Sequence, residues 1–501
     1  MENFVELRRT GDFWIDMGLI GLWRAMVARS KGNPVKIGDG FRADILLDDL
    51  YGDGKVGINA TLSHAGLTLQ YIDNETLDKE LANALESIKS NYFGKAKTGR
   101  MWWQRLGLFF FKNQDPETFF ELPTKIAGKK KTKWKIGTCD FCGMEKRNIK
   151  QAGAGEHLMV VVPGKFSSFY SNLRGDTKIC NWCAFASKFA PLRLFYTTSK
   201  NSITAIAFEA NDLLDLLSIF NYFSNLFAQS EWYRNFPSIL RYTQYPLETF
   251  LDFLFAAILE MEKKRDLEGK NLLESGLISN VHIIQASSGQ GLSIDRYYVI
   301  PNIPKVFDFI SACNWLNKNQ RSYNSLFETA KILVSRQGTD VETVTREEFS
   351  RRLFYTRDVS GLLEEFLIQQ IGKKSNMQSF AAINIDKFIT MHTLNQMGMD
   401  SHQLNVAKQL GGLIGQLASD TDNKSLLYNL RSVGNLSSLL AFFNHLLVRY
   451  IDDIKPRRQD FETLVGEIDN TNWFTYKSLI GIFSVLRYTE LQTKQETLVN
   501  A

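Results

Sequence analysis

Apolar residues recur at helical spacing from residue 10 to 29, in TGDFWIDMGLIGLWRAMVAR, where Ile15, Leu19, Leu22 and Met26 form one stripe. Thr10 or Asp12 stands where an N-cap is needed. A turn-rich stretch from Gly32 to Gly40 follows, and then alternation over 43–48 and 55–73 that predicts strands. Residues 76–113 read as helical and end in KAKTGRMWWQRLGLFFFK. Farther on, HLMVVVP (157–163) is a short buried strand, NLRGDTK (172–178) a turn and SITAIAFEA (202–210) a further strand. A long helical stretch runs from Leu213 to about Lys264, broken near Pro237 and Pro246. VHIIQAS (281–287), the turn SSGQG and LSIDRYYVIP (292–301) make a β-hairpin. Beyond Lys305 the pattern is helical, with amphipathic segments HQLNVAKQLGGLIGQLAS, LSSLLAFFNHLLVRYIDDI and NWFTYKSLIGIFSVLRYTELQ. That is how a helical bundle is written.

No repeat of fixed period organises the chain. The expected class is α+β. A mixed α/β domain over 1–304 carries an inserted cysteine module at about 121–187. A helical connector (305–376) and an all-α bundle (377–501) follow. At 501 residues, and about 150 residues per domain, roughly three domains are expected. A hydrophobic content of 44% excludes disorder, and 10 prolines exclude collagen-like and Pro-rich classes.

Charge adds one feature. The whole chain has 59 basic and 54 acidic residues, but Ser87–Lys150 alone holds 15 against 5, a local excess of +10. Such a block points to a polyanion surface. Inside it, Lys129, Lys130, Lys131, Lys133 and Lys135 surround Trp134, and Arg100 and Arg105, with Lys95 and Lys97, flank Trp102 and Trp103. Cations neutralise phosphates and exposed rings stack on bases. A solvated face and buried tryptophans are the plain alternatives.

Cys139 and Cys142 stand in TCDFCG, and Cys180 and Cys183 in KICNWC, with 37 residues between the pairs. Two CxxC knuckles supply the four soft ligands of a tetrahedral Zn²⁺ site. With every ligand place taken by Cys, the ion is structural, and the excursion between the knuckles needs structure of its own. Cys313 reads as a small buried hydrophobe. The acidic, unpatterned N-terminus is no signal peptide, and no run of ~18 apolar residues suggests a membrane span, so a reducing cytoplasm is expected. A phosphate loop, HExxH and GxSxG are all missing. The six histidines are scattered, and Asp48/Asp49 and Asp452/Asp453 fit solvated turns better than a two-metal site. The residues call for no catalysis.

TGDFWIDMGLIGL, the paired CxxC motifs, the N-x-x-G-x-x-x-x-C-x-x-C run from Asn172 to Cys183 and the hairpin ending in Tyr298 and Pro301 resemble the CXXC-CXXC family of CRISPR-associated proteins. That family is the large subunit of the type I-B Cascade surveillance complex. The resemblance spans roughly residues 8–301, and the helical tail agrees in architecture only. It implies binding at the foot of a complex built on CRISPR RNA and backbone subunits. It also implies recognition of the protospacer-adjacent motif in double-stranded DNA, help in opening that duplex, and recruitment of a helicase-nuclease or transposition machinery. The large subunit itself cuts nothing. Base pairing reads sequence in such systems, and protein reads the short motif and the backbone.

For reading the motif, Asn172 and Arg174 in FSSFYSNLRGDTK are the first candidates, and Gln290, between Gly289 and Gly291, is the next. A plain turn is the alternative at both places. The resemblance further implies a small subunit translated from within the same message. Met377 is a candidate internal start, because Gly372-Lys373-Lys374 must be encoded by purine-rich codons just upstream; Met391, Met397 and Met399 compete. Two other readings stay open: a zinc-stabilised non-catalytic RNA or protein scaffold, and an unrecognised metal-dependent enzyme.

Overall fold

A computed structural model of the 501-residue chain describes residues 4–29, 35–37, 40–44, 71–72, 110–111, 135–152, 157, 177–187, 190–198, 202–226, 245–264, 267–288, 292–301, 303–314, 339–371, 379–450, 462 and 465–499. Helices and mainly antiparallel sheets are mixed, which is compatible with an α+β class. The chain divides into two compact units, Met1–Pro304 and Lys305–Ala501.

In the first unit, strand β1 (Phe4–Arg8) pairs antiparallel with β3 (Gly40–Asp44), and β3 with β2 (Val35–Ile37). The strand expected at 43–48 therefore starts earlier, and the turn-rich stretch holds β2. The reason is that β1 supplies a partner ladder that no local pattern announces. Helix α1 (Phe13–Arg29) begins as expected, and Asp12 is its cap, accepting the Ile15 N–H at 2.9 Å. β4 (Tyr71–Ile72) and β5 (Phe110–Phe111) pair in parallel. The helical expectation over 76–113 thus fails at its end, because a run of phenylalanines has no helical period and suits a strand equally well.

β6 (Lys135–Thr138), β7 (Glu145–Gln151) and β8 (Lys178–Cys180) form a second three-stranded sheet, with β7 in the middle. A short helix, Asn181–Ser187, leads out of β8. His157 is described outside any strand, and the rest of the strand expected at 157–163 lies outside the described residues.

The main sheet is antiparallel in the order β12-β11-β10-β9: β9 (Phe195–Thr198), β10 (Ser202–Ala210), β11 (Ile278–Ser288) and β12 (Leu292–Pro301). β10 and the β11–β12 hairpin fall where alternation put them. Period-two geometry gives β10 two different faces. Phe208 joins Phe195, Phe220, Phe223 and Phe253 in a cluster of rings 5.0–6.2 Å apart, built with helices Leu213–Leu226 and Pro246–Lys264. On the other face, Ala205 and Ala207 are small and buried, and α1 packs there. Pro246 opens its helix at the position where a missing N–H costs nothing. Pro237 lies outside the described residues.

The second unit is helical: Thr339–Phe354, Ser360–Ile371, Ser379–Met391, Ser401–Asp420, Ser425–Ser432, Leu436–Arg449 and Trp473–Val499, with Ile303–Asn314 crossing into it from the division point. The last helix is its hub. Tyr476, Leu479, Ile480, Ile482, Phe483, Ser484 and Val485 are all buried, so the middle of this helix is covered on every side. Ser360–Ile371 packs directly on it. Part of the stretch expected to be a connector, Ser360–Ile371, therefore shares the bundle's core, and residues 372–378 lie outside the described residues. Met377 lies outside the described residues. Cys313 stands in helix Ile303–Asn314.

Candidate metal centre

The first knuckle is the turn of the β6–β7 hairpin. Cys139 N–H donates to Met144 O at 3.0 Å, and Gly143 N–H returns to Cys139 O at 2.9 Å. Gly143 sits at φ 69°, the left-handed conformation that lets the chain double back after Cys142. The second knuckle is a strand–helix junction: Cys180 ends β8, and Cys183 lies in the first turn of Asn181–Ser187. β7 joins the two, since Ile149 is in register with Cys180. The Asp140 N–H donates to Lys178 O at 2.9 Å, and the Lys178 N–H donates to the Asp140 carboxylate at 2.5 Å.

The four Sγ atoms lie within 4.8 Å of one another, and Cys142 and Cys180 are 3.9 Å apart. A tetrahedral ion with ~2.3 Å bonds to sulfur holds its ligands about 3.8 Å apart, so the spacing suits such an ion and is far too long for a disulfide. Cys139, Cys180 and Cys183 are buried, and Cys142 is half-buried. Backbone amides already aim at the sulfurs, Cys180 N–H at Cys139 Sγ (3.3 Å) and Cys183 N–H at Cys180 Sγ (3.4 Å). The thiols also act on one another. Hydrogen bonds from Cys142, then Cys180 and Cys183, push Cys139 far below the ordinary thiol range. Hydrogen bonds from Cys139, then Cys142 and Cys180, together with burial, hold Cys183 well above it. A metal ion held there would resolve that conflict by stabilising all four thiolates together. Among the described residues this is the one cluster placed to hold a metal, and no histidine belongs to it.

Of the other candidates, Lys135 is the first residue of β6, the strand that leads into the first knuckle. Arg100, Arg105, Lys129, Lys130, Lys131, Lys133, Asn172, Arg174 and Gln290 lie outside the described residues, as do Trp102, Trp103 and Trp134. The β-sheet also brings Lys146, Arg147 and Lys150 of β7 and Lys178 of β8 into the module, on strands flanking the cysteines. Lys146, Arg147 and Lys150 belong to the same basic excess, Lys178 does not, and only strand pairing joins residues 146–150 to residue 178.

Sequence reasoning treated the histidines as ordinary side chains. Two of them sit in polar networks of the first unit. His157 is buried, and its Nε2 donates to both carboxylate oxygens of Asp12, at 3.0 and 3.1 Å. The His282 Nε2 meets Glu209 Oε2 at 3.0 Å, and its Nδ1 meets the Tyr297 hydroxyl at 2.7 Å. Glu209 also accepts from Arg9 at 3.0 Å and Asn280 at 2.9 Å. Its carboxyl is held below the ordinary range, first by the His282 hydrogen bond. The sequence signal for the first pair is the TGDFWID segment, whose Asp12 and Asp16 fall in a strongly apolar helix start; the His282–Glu209 pair has no local signal.

No family model matches the chain, and no curated protein matches it. No helix among the described residues is long and apolar enough to cross a membrane.

Proposed function

We propose that this chain is the DNA-recognising large subunit of an RNA-guided type I-B Cascade complex. It is a non-catalytic protein of a reducing cytoplasm, and its zinc-finger-like module grips motif-bearing duplex. One observation carries the reading: four gathered thiols sit on a small sheet entered by a lysine run and built from strands that carry further Lys and Arg. The ion is Zn²⁺, because a closed set of four thiolates suits a soft tetrahedral ion without redox chemistry. It stiffens the platform and takes no part in a reaction. The cations then meet phosphates, while Asn172, Arg174 and Gln290 supply donors and acceptors for base edges. Guide pairing reads the remainder of the target, and the helical unit takes the place of a small-subunit-like partner. The downstream helicase-nuclease or transposition machinery acts on the duplex this protein has helped open.

The decisive experiment assembles the guide complex with and without this chain and titrates it with motif-bearing duplex at several salt concentrations. Affinity should require the chain and fall steeply with salt. Replacing Lys129, Lys130 and Lys131 with alanine should weaken binding to every sequence, whereas Asn172→Ala should change motif preference. Equal target engagement without the chain overturns the proposal and leaves the scaffold reading. Elemental analysis of the purified protein should find one zinc per chain.

A further inference from the structure

We propose that helix α1 is the element that senses occupancy of the four-cysteine site, and that it passes this state to a polar node on the main sheet. The inference goes beyond nucleic-acid binding and does not depend on it.

Both knuckles reach the same helix. From the first, Phe141 stands between Cys139 and Cys142 and stacks on His157, with ring centroids 5.1 Å apart and planes 21° from parallel. His157 holds Asp12 through two hydrogen bonds, and Asp12 caps α1 through the Ile15 amide. Trp14 and Phe13, the first residues of the helix, close around the same imidazole at 6.1 and 6.4 Å. From the second knuckle, the helix that begins after Cys180 brings Ala186 against α1. Gly18 is the contact, and a β-carbon there would run into the Ala186 carbonyl. Asp12 and Gly18 are six residues apart, about 9 Å along a helix. Two separated attachments fix the direction of α1 as well as its position.

The same helix start holds the sheet. Phe13 stacks on His282 at 4.2 Å and 14°. Arg9, three residues before the cap, spans Asp16 at 3.8 Å and Glu209 at 3.0 Å. Glu209 and Tyr297 in turn set the two ring nitrogens of His282. The path from Cys139 to His282 thus runs through Phe141, His157, Asp12 and Phe13, each in contact with the next. It contains no exposed link, since Phe141, His157, Asp12 and Phe13 are 7%, 1%, 7% and 2% exposed. Without the ion, four crowded thiols no longer have a common centre to close around. The Phe141 turn then loses its anchor, and so does the Ala186 helix.

The test is hydrogen–deuterium exchange on the full chain, read by peptide, with Zn²⁺ bound and after removal with a chelator, in the absence of nucleic acid. Stripping should raise exchange at least tenfold in residues 13–29 and measurably in 278–288, while 473–499 stays unchanged. A loss of protection confined to 135–187 overturns the proposal. A second variant guards against general unfolding. Phe141→Leu keeps all four thiols and most of the volume, so it should retain one zinc by elemental analysis. It should still raise exchange in 13–29 severalfold in the loaded protein. Unchanged exchange in α1 for this zinc-loaded variant also overturns it.

Discussion

Arg9, Glu209 and His282 in the N-terminal unit, and Lys477 and Glu364 in the C-terminal one, are ionisable groups partly or wholly withdrawn from water, but they are stabilised differently. The first set is a network. Glu209 has three partners contributed by β11 and by the segment before α1, and the network continues through Phe13 toward the cysteine cluster. The second is a single pair, Lys477 Nζ to Glu364 Oε2 at 2.9 Å, inside a helical core with exposures of 8% and 4%. A network spanning elements far apart in sequence makes the N-terminal unit dependent on long-range contacts. The bundle depends on apolar packing, with one deeply buried charge pair among the described residues. The two units should therefore respond to different insults.

The largest expected effect is metal removal. Structural zinc contributes about 10 kcal/mol or more in small finger peptides. Here the main sheet keeps its phenylalanine core, so chelation or Cys139→Ser should cost the N-terminal unit several kcal/mol rather than abolish it. In calorimetry of the full chain, one transition should fall and the other stay. Equal movement of both would break the comparison.

The next effect belongs to the bundle alone. Glu364→Ala leaves Lys477 charged, buried and unpaired, which costs about 3–5 kcal/mol. Combining Glu364→Leu with Lys477→Met should recover most of that, since a well-packed apolar pair often equals a buried ion pair. A double variant no better than the single one would mean that the charges hold the bundle together.

What the sequence made legible follows the same division. β10, the β11–β12 hairpin, α1 and the final helices carry their periodicity within a dozen residues and lie close to where it put them. β2 and β9 are too short to announce themselves and exist because β3 and β10 offer ladders. The CxxC spacing revealed which thiols could meet. It could not reveal that the first pair forms a hairpin turn, or that Phe141 rests on His157, because residues 141 and 157 are joined by packing and not by pattern. Nor does any local signal tie Glu364 to Lys477, 113 residues apart.

Acidity gives a third, comparable effect, opposite in sign between the units. Burial raises the Asp16 carboxyl from 3.8 to about 7, with hydrogen bonds from Thr10 opposing. Its folded form therefore keeps a proton that the unfolded chain releases. The stability this group contributes is full below about pH 4 and is lost as pH rises through 7, by up to about 4 kcal/mol. Burial lowers His392 from 6.5 to about 4. Its contribution is full above pH 6.5 and is lost as pH falls through 4, by about 3 kcal/mol. Asp16→Asn should narrow its stability deficit as pH rises from 5 to 8 in the first transition. His392→Gln should flatten the acid side of the second. Parallel pH slopes in the two variants would remove the distinction.

The smallest effect tests whether the bundle has any local dependence of its own. Helix Ser401–Asp420 starts with a capping box: the Asp400 side chain accepts the Gln403 amide at 2.7 Å, and the Gln403 side chain accepts the Asp400 amide at 3.3 Å. The turn before it is π-helical, His392–Gln396, so the cap follows directly on an irregular segment. Asp400→Ala removes one acceptor at an exposed end and should cost about 1 kcal/mol. Because the helix is anchored along its length by Leu404, Leu410, Ile414 and Leu417 in the core, the loss should appear as fraying. Amides of 401–404 should exchange faster while 410–420 stay protected, and the metal-dependent transition should not move. A cost of several kcal/mol would show that this end of the helix, like the start of α1, is held by polar contacts rather than by the packing behind it.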